Sequence, residues 1–280
     1  MSKIQLSAFT DEASSVFTEQ IDAMKANGIL YTELRGVDGI GVADLTKEQV
    51  KNVKEMLDKE GLKVWSIGSP IGKIDLKDDF EPHLDKFKRV IETAQITGAN
   101  KIRLFSFYGY DGSDAARDEV LRRMNRFVEV NEGSGVLLCH ENEKGIYGDI
   151  AVRCEEIHKN IPELKAIFDP ANFIQSGQNT TEAWEKLSPY VEYMHIKDAL
   201  EDGKVVPAGK GIGNLPYLLS KYKGEVLTLE PHLSVFSGFE KLEGNQKTQI
   251  DEYSYPSSRA AFDAAVNALK ELLGEKNEKN

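Results

Sequence analysis

Apolar positions along the chain follow two alternating periods. Ile4, Leu6 and Ala8 recur at every second residue, as in a half-buried strand, whereas Phe17, Ile21 and Met24 recur at helical spacing before Asn27-Gly28 stops the helix. The alternation continues. Strands are predicted over Ile29–Leu34, Lys63–Gly68, Lys101–Phe107, Val136–Glu141, Leu164–Asp169, Val191–Lys197 and Glu225–Glu230. Helical faces lie between them: Val50, Val53 and Leu57 behind a Thr46-x-x-Gln49 capping box; Leu84, Phe87, Ile91 and Ala94; Val120, Met124, Phe127 and Val128; then segments over 150–160, 181–187 and 215–222. A last helix carries Phe262, Val266, Leu269 and Leu273.

Eight strands alternating with helices predict a parallel sheet, and eight such units predict an α/β fold of the single (β/α)8 TIM barrel type. An open doubly wound sheet competes, but no Gly-x-Gly-x-x-Gly follows the first strand. Residues 1–273 are read as one barrel and 274–280 as a polar tail. The long segment Leu233–Pro256 follows the eighth strand, which places it over the C-terminal mouth of the barrel as a functional or lid-like loop.

With 280 residues, 40% of them hydrophobic, the chain can fill such a core. A net charge of −11 repels phosphate backbones and anionic lipid, so nucleic acid and membranes are poor partners. The acidity is either concentrated at a cation site or spread over a solvated surface. Cys139 and Cys154 sit inside predicted elements and form no Cys-x-x-Cys pair, which suits a reducing compartment. The N-terminus reads as no signal peptide, and no run of apolar residues approaches a membrane helix, so a cytoplasmic protein is expected. The Asn179-Thr180-Thr181 sequon is then without consequence.

Candidate chemistry is concentrated at strand ends, where barrels of this type place their sites. Glu141, Asp169, His195 and Glu230 close the fifth to eighth strands at intervals of 28, 26 and 35 residues, about one βα unit each. Burying three carboxylates together without a counter-charge is costly; a divalent cation resolves the conflict. Three carboxylates and one imidazole, with no thiolate, suit Mn, Mg, Co or Zn with positions open for substrate oxygens. Singly, each residue has a plainer reading: Asp169, before Pro170, caps a helix as readily as it ligates, and a lone histidine is often a satisfied core residue. Lys197 and Lys210 are candidates for a phosphate, with the Gly-rich loop around Lys210 equally readable as a turn. His232 is placed at the mouth or on the surface. Arg35, at the rim, is a substrate-binding candidate, with an ion pair to Glu33 as the plainer reading. His140, one position from Glu141, should face the helices, and Trp65 reads as core.

The stretches SAFTDEA, YTELRGV, HENEKGIYGD, FDPANF, YMHIKDA, VPAGKGIG and LEPHL resemble the xylose isomerase-like barrel superfamily, and within it the sugar phosphate isomerase/epimerase group. The resemblance spans nearly the whole chain, and its specific part is the Glu-Asp-His-Glu set. It implies that Glu141, Asp169, His195 and Glu230 bind one divalent metal, and that Glu141 and Glu230 flank the substrate as the catalytic acid/base pair. The implied reaction is proton transfer on a small sugar or sugar phosphate through an enediolate. The chain departs from the pattern at Asn172, where related epimerases often carry a substrate-contacting histidine, and at Lys210, where an acidic residue is common. Alternatives are an inosose-type dehydratase on the same metal site, an inactive carbohydrate-binding barrel, and, disfavoured by charge and by the few histidines, an apurinic-site endonuclease. Whether chains associate is left open.

Overall fold

A computed structural model describes residues 4–235 and 252–274. Eight parallel strands form a closed barrel: β1 (Gln5–Ala8), β2 (Tyr31–Leu34), β3 (Lys63–Ile67), β4 (Lys101–Leu104), β5 (Leu137–Glu141), β6 (Lys165–Phe168), β7 (Val191–Ile196) and β8 (Val226–Leu229). Each pairs with its neighbours in sequence, and β1 closes the ring against β8 with Gln5 opposite Val226 and Ala8 opposite Leu229. The fold expected from the alternating periods is the fold observed.

Helices pack outside the barrel, and their ends follow from local chemistry. In α2 (Lys47–Lys59) the capping box forms: the Gln49 amide donates to Thr46 Oγ1 at 3.2 Å, and the Thr46 amide donates to Gln49 Oε1 at 2.8 Å. Asp79 caps α3 (Phe80–Thr97), which Gly98 ends in the left-handed region at φ 77°. Ser113 caps α4 (Asp114–Asn131), and α5 (Ala151–Asn160) follows β5. The helices buried against the strands supply most of one continuous core that runs from Phe17 on α1 (Phe17–Ala26) to Leu269.

Three differences from the sequence reading matter for the site. Strand β4 stops at Leu104 rather than Phe107: beyond it the Phe105 and Phe107 amides donate to the carbonyls of Ile71 and Gly72 in the loop after β3, and Phe107 adopts φ 64°. Between β6 and β7 the chain makes two helices rather than one, α6 (Pro170–Gln175) and α7 (Thr180–Leu187); the sequon residue Asn179 is the cap of the second, accepting from the Thr181 and Glu182 amides. Two-residue antiparallel ribbons extend past β2 (Gly36–Val37 with Ile40–Gly41) and past β7 (Asp198–Ala199 with Val205–Val206). After β8 the segment expected to cover the mouth lies outside the described residues over 236–251, as does the polar tail over 275–280. Helix α8 (Leu215–Lys221) precedes β8, and the chain, described again from 252, carries α9 (Ser258–Leu272).

Candidate metal centre

The alternation of a strand decides which side chains enter the barrel. On β5, Cys139 and Glu141 point inward with Ile167 and Tyr193 of the neighbouring strands, and His140 between them points out. His140 therefore sits among helices, with Nε2 3.0 Å from Ser106 Oγ and its ring 5.8 Å from that of His158.

The four strand-end residues converge. Glu141, Asp169, His195 and Glu230 are 1%, 0%, 0% and 3% exposed, and each offers a ligand atom within 4.8 Å of every other. His195 Nδ1 lies 2.8 Å from Glu141 Oε1 and 3.5 Å from Glu230 Oε2. Asp169 has both roles considered for it: Oδ1 caps α6 by accepting from the Asn172 amide at 2.9 Å, while buried Oδ2 has no hydrogen-bond partner and only Lys197 Nζ at 3.0 Å. Three buried carboxylates, one imidazole and an orphaned carboxylate oxygen form a donor set that fits a divalent cation.

Cations of the chain itself hold this cluster together. Lys197 Nζ sits 3.0 Å from Asp169 Oδ2 and 2.9 Å from Glu230 Oε2. Arg103, buried on β4, places Nη1 3.1 Å from Glu141 Oε2 and 3.8 Å from Glu230 Oε1, and donates from Nη2 to the Gly68 carbonyl at 3.1 Å. These neighbours decide the protonation states. Burial opposes ionisation of Glu141, but His195 and Arg103 outweigh it and hold the carboxyl at about 2. Glu230 is likewise lowered well below the usual range, burial being overcome by Lys197 and His195. Asp169 goes the other way: burial dominates, Lys197 offsets only part of it, and the carboxyl rises to about 7. His195 is raised well above its usual value, since Glu141 and Glu33 outweigh the cost of burying its charge.

The remaining sequence candidates are distributed around this cluster. Asn172 reaches it, with Nδ2 3.4 Å from Glu141 Oε1 and 2.9 Å from the Asn142 carbonyl. His232, at φ 43°, places Nε2 3.5 Å from Glu230 Oε1 and 3.1 Å from Glu12 Oε1. Arg35 is at the rim but does not pair with Glu33: Nε donates to Asp11 at 2.8 Å, Nη2 to Glu12 at 3.1 Å and Nη1 to Glu230 at 3.3 Å. Glu33 instead turns into the barrel, wholly buried, and meets His195. Lys210 is exposed, whereas Lys197 is buried. The glycine-rich loop around it holds an anion of its own, for the Asp198 carboxylate accepts from the amides of Ala199, Gly209, Gly211 and Gly213 at 2.9–3.0 Å. Trp65 is half-buried at the opposite end of the barrel, with Lys101 Nζ 3.9 Å above its ring.

Sequence reasoning passed over Arg103 and Lys73, and placed Glu33 only in a pair with Arg35. Arg103 was readable as a charge inside the apolar run KIRLF. At the mouth, a cavity of about 380 Å³ is lined by Arg35, Lys73, Arg103, Glu143, Glu230 and His232, with Lys73 Nζ 2.6 Å from Glu143. It is bordered by charged side chains, partly open and large enough for a small polyol, and Glu230 lies on its wall.

Comparison with known proteins agrees with the fold. A 3-dehydroshikimate dehydratase of Bacillus anthracis is 23% identical over 186 residues, spanning 65% of this chain and 66% of that protein. Among solved structures, the IOLI protein with a bound zinc atom superposes with a TM-score of 0.74 at 14% identity, covering 99% of this chain and 100% of that one. The 3-keto-D-glucoside 4-epimerase YcjR of E. coli gives 0.69 at 15% identity, covering 97% and 100%. At such identities the structures speak for the fold alone. The model of the xylose isomerase-like TIM barrel family matches residues 21–230, from the first helix to the fourth member of the carboxylate–imidazole cluster. By that match the chain belongs to the xylose isomerase-like TIM barrel family.

Proposed function

We propose that the protein is a divalent-metal-dependent isomerase or epimerase of small sugars or sugar phosphates, acting by proton transfer next to a carbonyl. The observation that carries this reading is the convergence of Glu141, Asp169, His195 and Glu230, buried and within 4.8 Å of one another, at the open end of the barrel. These four would hold one ion, of Mn, Zn, Mg or Co; when bound, it polarises a substrate carbonyl and offsets the charge of the enediolate that proton loss creates.

The chain's own groups then have definite tasks. Glu141, kept ionised beside the Arg103 guanidinium, takes the proton from the carbon beside the carbonyl. Glu230 faces the mouth cavity, where it exchanges protons with solvent; a proton it has picked up there and delivers to the opposite face of the enediolate gives epimerisation, while return of the proton held by Glu141 to the neighbouring carbon gives aldose–ketose isomerisation. Lys197 and Arg103 spread the negative charge of both carboxylates. Asn172, His232 and the Lys73–Glu143 pair border the space left for substrate hydroxyls. The free, buried Cys139 and Cys154 suit a reducing, cytoplasmic setting.

Incubating the protein with Mn²⁺, deuterated water and a set of ketoses, ketose phosphates and inososes should place solvent deuterium beside the carbonyl of one of them. Glu141→Gln and Glu230→Gln should each cut that rate by about 100- to 10,000-fold while the fold persists; wild-type exchange in either variant refutes the assignment. A dehydratase is the second reading, favoured by the activity named for the Bacillus anthracis relative. It uses the same proton abstraction and is distinguished by loss of water from the product.

A further inference from the structure

The imidazole of His195 has two nitrogens, and only one can ligate. Nδ1 faces Glu141 and Glu230; Nε2 faces away from the cluster and lies 3.1 Å from Glu33 Oε2. Glu33 is wholly buried on β2. Its other oxygen accepts from the Tyr193 hydroxyl at 3.0 Å, and that hydroxyl lies 3.1 Å from Ser66 Oγ, which can donate back to it. Tyr193 and His195 stand two residues apart on β7 and so share its inward face. The chain Ser66–Tyr193–Glu33–His195 thus crosses the barrel interior from β3 to β7 and ends on the one imidazole of the cluster.

The backbone is shaped for this contact. The β2–β3 register shifts between Thr32 and Glu33, so that Thr32 pairs with Val64 but Glu33 pairs with Ser66. A bulge of this kind re-aims a side chain at a cost in ladder regularity. Here it sets Glu33 beside Ser66 at the level of Tyr193. Phe9, edge-on to the imidazole with ring centres 5.1 Å apart, walls the ring from the β1 side and leaves Glu33 to receive the Nε2 proton.

We infer that Glu33 is the positioning residue of the metal centre: it accepts the Nε2 proton of His195, fixes the tautomer that presents the Nδ1 lone pair to the ion, and is itself held by Tyr193 and Ser66. The inference rests on the metal-dependent function proposed above. A carboxylate behind a ligating imidazole orients the ring and raises its basicity, and removing such a partner weakens metal binding by about 10- to 100-fold. Glu33 does not touch substrate in this role, so its effect is on the ion.

The test is zinc affinity by chelator competition on folded wild-type protein, Glu33→Gln, Glu33→Leu and Tyr193→Phe, with ¹⁵N-histidine spectra of the zinc-loaded protein. Glu33→Leu should lose about 10- to 100-fold in affinity. Glu33→Gln, whose amide oxygen still accepts from Nε2, should retain more than the leucine variant. Tyr193→Phe, which deletes one hydroxyl and keeps the ring, should give a smaller loss and covers the case in which a Glu33 variant does not fold. The spectra should report zinc on Nδ1 and a proton on Nε2. Affinity within twofold of wild type in all three variants, or zinc on Nε2, overturns the inference while leaving the metal centre standing. A wild-type protein that binds none of zinc, manganese, cobalt and magnesium overturns the proposed function, and this inference with it.

Discussion

Lys197 shows how much a single residue carries here. Its ammonium bridges Asp169 and Glu230 in a space closed to water, and burial, though it opposes the charge, is outweighed by those carboxylates, so it stays protonated. Lys197→Met would leave both carboxylates short of a counter-charge, a change that costs about 3–5 kcal/mol in comparable buried pairs. In chelator the variant should unfold at markedly lower urea than wild type, and Mn²⁺ should recover part of the difference, because the ion replaces the missing positive charge. Equal urea midpoints would show that the pair adds nothing. His195 gives a second prediction. An ion requires the neutral imidazole, and in the metal-free protein the ring holds its proton to well above the usual pH, so proton and ion compete. Asp169, at about 7, competes in the same sense. Metal affinity should therefore rise from pH 6 to pH 8, with protons released on binding, as calorimetry in buffers of different ionisation enthalpy will measure. The four strand-end residues were legible because each is a polar side chain ending an apolar run. Glu33 was not: in YTELRGV it stands two residues from Arg35, and nothing in the sequence shows that β2 ends at Leu34, with Glu33 inside the barrel and Arg35 at the rim.

At the scale of elements, the loop after β7 is organised around a carboxylate. Asp198 gathers four amides, and glycine is needed where it does so: a Cβ on Gly211 would come within 2.3 Å of both Asp198 Oδ1 and the Ala199 carbonyl oxygen. Gly211→Ala should therefore destabilise the protein by about 2–3 kcal/mol, and Asp198→Asn, which turns an acceptor into a donor facing amides, by a similar amount. Thermal denaturation will check both; a change below about 0.5 kcal/mol, typical of a free surface turn, would exclude this role. The sequence offered VPAGKGIG as either a phosphate cradle or a turn and contained no sign that the anion was Asp198, eight residues before Val206. Helix α5 carries a further expectation. His158 stacks on Tyr190 with ring centres 5.3 Å apart, and burial lowers it to about 4, while burial and His158 lower His140 to about 3. Both stay neutral in the folded chain at pH values where the unfolded chain takes up protons. Stability from this source is present above about 6.5 and falls as pH drops toward 4. His158→Phe should flatten that slope in denaturation midpoints taken from pH 7 to pH 5, and an unchanged slope would rule out the contribution.

For the whole molecule, the barrel was readable because periods of two and 3.6 alternate eight times, and closure follows from pairing each strand with its sequence neighbour. Element ends were less readable: beyond Leu104 the Phe105 and Phe107 amides turn to carbonyls in the loop after β3, which hydrophobicity does not encode, and the break between α6 and α7 depends on Asn179 acting as a cap. Among the described residues no helix is long and apolar enough to cross a membrane. Because ligands of the proposed ion come from four strands, β5 to β8 or the turns just past them, chelation should loosen half the barrel at once. Removal of metal by EDTA should lower the melting temperature, and Mn²⁺ at about 100 times its dissociation constant should restore about 2.7 kcal/mol.

The seam between β1 and β8 has a consequence for synthesis. Residues 5–8 leave the ribosome more than two hundred positions before their partners at 226–229, and until then the nascent sheet carries two raw edges. Glu230 is the next residue after that seam. Ring closure and delivery of the last ligand are thus a single late event, so an ion can lock the finished barrel but cannot nucleate it.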